Sequence, residues 1–153
     1  MKLLSYVIIF LVINFGGLAI GNSFMENSPQ TEWYINLNKA PWTPAGWVFG
    51  VAWSAVMVCF SVYMAYLYKR VPAVTVIGLF AIQFILNIGW NYVFFNQHFV
   101  SLGLIVLLLL TCIIAIFSFL FKQAMTMKTL LIMPYFIWIA VATSLNAYIL
   151  IKN

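Results

Sequence analysis

Long apolar segments separated by short polar ones run through the whole sequence. Five segments each extend for about 20 mostly apolar residues, the length that an α-helix needs to cross the hydrocarbon core of a bilayer. They lie at about residues 3–24, 46–68, 73–95, 100–121 and 129–151. Barrel strands need only about 9–11 alternating residues, so runs of this length indicate helices. The sequence predicts an all-α membrane protein, a five-transmembrane-helix bundle that forms one domain over residues 1–153.

The first apolar segment has an alternative interpretation as a cleavable signal peptide. Lys2 precedes its apolar core, and Ala19-Ile20-Gly21 has the small residues of a cleavage site. The segment is long for a signal sequence, and four further spans follow it. We therefore favour a permanent first span.

The polar stretch over about residues 25–45 is the longest of the loops. It contains both glutamates, Glu26 and Glu32, and it is rich in tryptophan and proline. Long loops are usually functional or disordered, and disordered segments contain few aromatic residues. We therefore expect this first loop to be an ordered lid.

Composition and charge support a lipid environment. Hydrophobic residues make up 66% of the chain, charged residues only 6%, and the mean hydropathy is +1.09. A soluble domain has about a quarter charged residues, so the lipid bilayer is the expected surrounding. The net charge of +5 comes from scattered Lys and Arg residues. They form no basic patch, so we expect no nucleic-acid partner.

Basic residues are unequally divided between the two ends of the predicted bundle. One end holds the N-terminus, and the other holds the first loop and the C-terminus. The first end has Lys2, Lys69, Arg70, Lys122 and Lys128, whereas the second has only Lys39 and Lys152. Because Lys and Arg are enriched in cytoplasmic loops, we expect a cytoplasmic N-terminus and an outside C-terminus. The predicted location is a bacterial cell membrane.

Few residues could support acid–base or metal chemistry. The chain has no Asp, His98 is the only histidine, and both glutamates fall in the first loop. Cys59 and Cys112 lie inside apolar runs and are expected to be unpaired packing residues. Carboxylates and histidines at mid-span mark ion-coupled transporters and pumps, so we disfavour those functions. The sequence predicts neither a metal nor a cofactor.

Two helix faces combine tryptophan with amide side chains. The third span places Asn87, Trp90 and Asn91 at spacings of three and four, and the fifth places Trp138, Ala142 and Asn146 four apart. Residues at these spacings share a face. Each buried amide either hydrogen-bonds another helix or contacts a ligand. Two such faces would line an apolar pocket with a few polar points, the usual form of a small-molecule site.

These residues belong to a wider pattern. In the first loop and second span the pattern comprises Trp33-Tyr34, Leu37, Lys39, Trp42, Pro44, Trp47, Phe49-Gly50 and Trp53. In the third and fifth spans it comprises Gln83, Asn87, Trp90, Phe94-Phe95, Pro134-Tyr135, Trp138, Ala142 and Leu145-Asn146. The pattern resembles that of the TspO/MBR family of tryptophan-rich sensory proteins and translocator proteins, and the resemblance covers nearly the whole chain.

The resemblance implies a five-helix bundle, often a homodimer, with a pocket that the first loop closes. It implies porphyrin ligands such as protoporphyrin IX, and drugs of the isoquinoline carboxamide and benzodiazepine classes. The expected ligand-binding residues are Trp53, Asn87, Trp90, Asn91, Trp138, Ala142 and Asn146. The expected lid residues are Trp33, Tyr34, Lys39, Pro41, Trp42 and Pro44.

Two functions follow from the resemblance as alternatives. The first is tetrapyrrole binding with a sensory, regulatory or transport role. The second is light- and oxygen-driven porphyrin degradation, with Trp53 and Trp138 as catalytic redox partners. Cholesterol is not an expected ligand. Its short motif occurs at Leu145, Tyr148 and Lys152 but also, by composition alone, at Val62, Tyr66 and Lys69, and such motifs are weak evidence.

Overall fold

Five long helices make up most of the computed structural model, which describes residues 2–153. They are α1 (Leu3–Met25), α2 (Gly46–Arg70), α3 (Val74–Asn91), α4 (Val100–Leu120) and α5 (Met133–Lys152). All five lie in helical segments long and apolar enough to cross a membrane. The predicted all-α, five-span fold is confirmed.

Helix boundaries follow local backbone chemistry. α1 ends where Glu26 and Asn27 adopt left-handed backbone conformations with φ of 48° and 60°. α2 ends before Val71-Pro72, because a residue that precedes proline is disfavoured in the α conformation. α5 begins with Pro134 in its first turn, where a missing N–H costs nothing.

Two predicted spans differ in detail from the observed helices. The third is α-helical only to Asn91 and continues as a π-helical turn over Tyr92–Asn96. The fifth was expected to start near residue 129, but a short helix over Lys122–Met125 and a 3-10 helix over Thr126–Ile132 precede α5. Apolar periodicity marks the span but does not distinguish these helix types.

The end of the bundle that holds the α2–α3 connection is densely packed. Phe60 is at its centre, with ring centroids 5.2 Å from Tyr135, 5.7 Å from Phe117 and 6.1 Å from Phe80. The Tyr63 hydroxyl donates to the Phe117 carbonyl at 2.9 Å. On α2, the buried residues run from Val56 to Leu67, while those nearer its N-terminus are partly or fully exposed. The other end is therefore the more open one.

Contacts between loops show which connections share an end of the bundle. The Asn38 backbone N–H donates to Asn153 Oδ1 at 2.8 Å, which places the first loop beside the C-terminus. At the opposite end, the Arg70 guanidinium donates to the carbonyl of Ala124. Successive connections therefore lie at alternating ends of the bundle, as expected for five spans. The end that contains Arg70 is the basic one.

We expect the first loop to face the outside of the cell, because the basic residues gather at the other end. A cysteine introduced at exposed Asn36 should react with a membrane-impermeant maleimide in intact cells. The matched control is a cysteine at exposed Gln123, which should react only after permeabilisation. The reverse labelling pattern would show that the first loop faces the cytoplasm.

Candidate functional site

A cavity of about 570 Å³ lies between α1, α2 and α3 under the first loop. This volume is within the range of roughly 300–1,000 Å³ that is typical of small-molecule sites. Its wall is formed by Leu18, Asn22, Met25, Pro29, Tyr34, Lys39, Thr43, Pro44, Gly46, Phe49, Gly50, Trp53, Ser54, Asn87, Trp90, Asn91 and Phe95. The predicted residues Trp53, Asn87, Trp90 and Asn91 therefore meet at one cavity.

Two glycines of α2 lie on the cavity wall. Gly46 and Gly50 are four residues apart on the wall, and a Cβ built at either position would meet no atom within 4 Å. Trp53 continues this side of the wall, and Trp90 approaches from α3. The missing side chains leave a space beside these aromatic surfaces.

Asn87 on α3 both joins two helices and lines the cavity, and Asn91 lines the cavity as well. Asn87 Nδ2 donates to the Tyr135 hydroxyl oxygen at 2.6 Å, and Gln83 Nε2 donates to the same oxygen at 2.7 Å. Asn91 Nδ2 donates to the Asn87 carbonyl at 3.3 Å. An asparagine of this helix can therefore make hydrogen bonds within the bundle and still lie where a ligand could contact it.

A smaller space, the side chamber, adjoins the cavity next to α5. It has a volume of about 20 Å³, and its wall includes Ala142 and Asn146 together with Trp53 and Trp90. Trp90 Nε1 donates to Asn146 Oδ1 at 3.3 Å. Asn146 Nδ2 in turn donates to the Val100 carbonyl at 2.8 Å, which joins α5 to α4. The α5 part of the predicted site therefore borders a space sufficient for about one water molecule.

Trp138 lies behind the cavity wall. Its ring centroid is 6.5 Å from that of Trp53 and 5.4 Å from that of Phe49, both in edge-on arrangements. The side chain is 7% exposed, and its buried Nε1 has no hydrogen-bond partner. Trp138 therefore touches the aromatic wall rather than forming it.

The first loop covers the cavity and presents Tyr34, Lys39 and Pro44 to it. Burial raises the pKa of the Tyr34 phenol above its ordinary value of 10, so this side chain is neutral at physiological pH. Lys39 Nζ donates to the Tyr34 carbonyl at 2.7 Å and lies 4.8 Å from the centre of the Tyr34 ring. The cavity-facing part of the loop thus carries one cation.

The other expected lid residues lie away from the cavity wall. Trp33 stacks on His98, with ring centroids 4.0 Å apart and planes 15° from parallel. Trp42 Nε1 donates to Ser144 Oγ on α5 at 3.1 Å. Pro41 is exposed. These contacts attach the loop to the α3–α4 turn and to α5.

A buried serine makes a further attachment. Ser28 Oγ donates to the Phe95 carbonyl, which lies in the π-helical turn, at 2.9 Å. The Tyr34 ring also packs against Phe95, with centroids 5.6 Å apart. Both contacts join the first loop to the π-helical turn beside the cavity.

The sequence interpretation missed the contribution of α1. Leu18, Asn22 and Met25 line the cavity from this helix. Asn14, about one turn before Leu18, is 2% exposed and donates through Nδ2 to Ser61 Oγ at 2.7 Å. An amide within an apolar segment is costly unless it finds a partner. Asn14 and Asn22 therefore indicate in the sequence that one face of α1 points into the bundle.

Comparison with known proteins agrees with this architecture. The model of the TspO/MBR family matches residues 8–151. Tryptophan-rich protein TspO of Chlorobaculum tepidum is 30% identical over 142 residues, which cover 89% of this chain and 90% of the relative. Protein CrtK of Rhodobacter capsulatus is 33% identical over 118 residues, or 74% of each chain. The translocator protein of Homo sapiens is 30% identical over 136 residues, covering 85% and 79%. The chain belongs to the TspO/MBR family.

Proposed function

We propose that this protein binds a flat, apolar small molecule within the membrane, and that protoporphyrin IX is a ligand of this kind. The observation that carries the proposal is the cavity of about 570 Å³. Its wall combines the aromatic side chains of Phe49, Trp53, Trp90 and Phe95 with a few amides. Aromatic surfaces favour a planar apolar partner, and each well-placed aromatic contact contributes about 0.5–1.5 kcal/mol beyond the area that it buries.

Family membership supports a role in which binding has a consequence for the cell. Relatives carry the names tryptophan-rich sensory protein and translocator protein. We propose a sensory, regulatory or transport role that depends on the cavity, with a homodimer as the functional form. Isoquinoline carboxamide and benzodiazepine compounds are expected to enter the same cavity.

Filling part of the cavity should weaken binding without disturbing the fold. In Gly50→Leu the new side chain projects into open space, so we expect folding to be retained and the Kd for protoporphyrin IX to rise by about tenfold or more. Binding is measured by absorption titration of purified protein in lipid nanodiscs.

The matched control is Gly78→Leu, because Gly78 is also exposed on a helix and also has no atom within 4 Å of a built Cβ, but lies outside the cavity wall. Its Kd should equal that of the unmodified protein. If Gly50→Leu binds as tightly as Gly78→Leu, the ligand does not occupy this cavity.

We also propose that the first loop acts as a lid that bound ligand holds closed. Lys39 is the only trypsin site between residues 25 and 45, so trypsin cleavage after it reports on opening. Protoporphyrin IX should slow this cleavage. His98→Asn removes the ring that stacks on Trp33 but tolerates the left-handed backbone at φ of 59°. Cleavage without ligand should then become about three- to tenfold faster.

Gln97→Asn is the control for the lid experiment, because Gln97 is exposed in the same turn and bonds only its neighbour Asn96 through its side chain. Its cleavage rate should be unchanged. Equal cleavage of the unmodified protein with and without protoporphyrin IX would contradict the lid role.

A second candidate function is light-dependent degradation of the bound porphyrin with dioxygen as the oxidant. The contact between Trp53 on the cavity wall and Trp138 behind it favours this candidate. Two adjacent indoles give a route along which an electron can move reversibly between the light-excited ligand and a side chain that the ligand does not touch, while dioxygen accepts the electrons that the ligand loses overall. No acid–base residue or metal is required for this role.

Replacing either indole by Phe should separate degradation from binding. For Trp53→Phe and Trp138→Phe we expect the Kd for protoporphyrin IX to change by less than about threefold, because an aromatic surface remains. The rate of Soret-band loss under illumination in air should fall by about tenfold or more, because Phe is a poor electron donor. Trp33→Phe, at a position off the cavity wall, is the control and should degrade porphyrin normally. If all three variants degrade porphyrin at the rate of the unmodified protein, the tryptophans do not take part in the chemistry.

A further inference from the structure

Two cations lie along one face of α2, at the end of the bundle opposite the cavity. Tyr66 and Arg70 are four residues apart on this helix, so they share a face and are separated by roughly 6 Å along its axis. The Arg70 guanidinium donates to the Ala124 carbonyl, and the Lys128 ammonium lies 4.8 Å from the centre of the Tyr66 ring. Both contacts therefore join α2 to the α4–α5 connection, residues 121–132.

Only neutral groups hold these two cations. The partner of Arg70 is a carbonyl oxygen, and the partner of Lys128 is the face of an aromatic ring, which attracts a cation but does not balance its charge. Glu26 and Glu32, the only acidic residues of the chain, both lie in the first loop at the other end. The guanidinium uses one Nη atom for the bond to Ala124, and among residues 2–153 its other nitrogens have no acceptor. Both cations are thus available to an anion.

Exposed apolar side chains lie next to the cations. Met127 and Leu130, on either side of Lys128 in the 3-10 helix, are 76% and 60% exposed. Residues three apart in a 3-10 helix project from the same side, so these two form a short apolar strip on the surface of the connection. Met125 and Ile132 are buried and attach the connection to the bundle. A lipid has the matching arrangement, because its charged headgroup and its acyl chains adjoin each other.

We propose that Arg70 and Lys128 bind the phosphate of an anionic phospholipid, of the phosphatidylglycerol class, in the leaflet at this end of the bundle. A guanidinium binds phosphate oxygens through charge-assisted hydrogen bonds, which are stronger than neutral ones. The Lys128 ammonium supplies a second positive charge, and the acyl chains lie against Met127 and Leu130. A zwitterionic lipid brings a cation of its own to the same place and binds more weakly. This surface is separate from the cavity, so the inference does not depend on the proposed function.

Dioleoyl phosphatidylglycerol and dioleoyl phosphatidylcholine provide the test, because they share the acyl chains and differ in headgroup charge. Native mass spectrometry of the full-length protein in detergent measures the Kd of the first molecule of each lipid that binds. We expect the unmodified protein to bind phosphatidylglycerol about tenfold more tightly than phosphatidylcholine. The double variant Arg70→Gln/Lys128→Gln should reduce this ratio to about twofold or less, because both cations are removed while an amide can still donate to the Ala124 carbonyl.

Three further variants make the result specific to this face. Lys2→Gln/Lys152→Gln removes the same charge from exposed positions outside α2 and the α4–α5 connection, and should keep the tenfold ratio. The exchange Arg70→Lys/Lys128→Arg keeps both charges and should keep most of the ratio. Lys128→Gln alone leaves the bond from Arg70 to Ala124 intact and should lower the ratio by about threefold. It decides the question if the double variant does not fold.

Four outcomes would overturn the proposal. The unmodified protein could show no preference for phosphatidylglycerol, or the variants without Lys128 could keep the full ratio. An equal loss in Lys2→Gln/Lys152→Gln would assign the preference to general surface charge. Equal weakening of both lipids would mean that the two residues only shape the surface. Glycerol phosphate, which has the headgroup chemistry without acyl chains, should leave the bound lipid in place at the same concentration, and displacement of the lipid would identify a free anion as the ligand instead.

Discussion

Hydrogen bonds between helices fix the arrangement of this bundle, because lipid tails are as apolar as leucine and provide no hydrophobic force that selects one helix partner. The Tyr135 hydroxyl accepts from Gln83 and Asn87 and so sets α5 against α3. Asn146 links α5 to α3 and to the start of α4. Asn14 joins α1 to α2 through Ser61. Each bond can form in only one register, and apolar packing fills the space around it.

The same bonds place the cavity. Between Tyr135 and the end of the bundle that holds the α2–α3 connection, aromatic rings around Phe60 fill the interior. Towards the other end, the cavity lies between α1, α2 and α3, and Gly46 and Gly50 contribute no side chain to its wall. Asn87 stands at the boundary and serves both regions. The cavity therefore begins where the aromatic packing around Phe60 ends.

More of the fold than of the candidate site could be predicted from the sequence. Five apolar runs were sufficient for the helices, because the bilayer fixes their length. Helical spacing brought Asn87, Trp90 and Asn91 to one face, and they line one cavity. Periodicity could not show that Trp138 lies one side chain behind Trp53, since depth within a packed wall depends on neighbouring helices. The contribution of α1 was missed as well, because its apolar residues lie on all sides and only Asn14 and Asn22 mark the inward face.

The π-helical turn Tyr92–Asn96 couples the covering loop to the register of α3. A π turn contains one residue more than an α turn, and its widened geometry brings the Gln97 N–H to the Tyr92 carbonyl. The Phe95 carbonyl in this turn is the acceptor for Ser28. Displacing the loop therefore breaks that bond and removes a support of the wide turn. Conversion of the turn to α geometry would rotate the following residues by about 100° around the helix axis. The position of the covering loop is thereby coupled, through one hydrogen bond, to the helical register of Tyr92–Asn96.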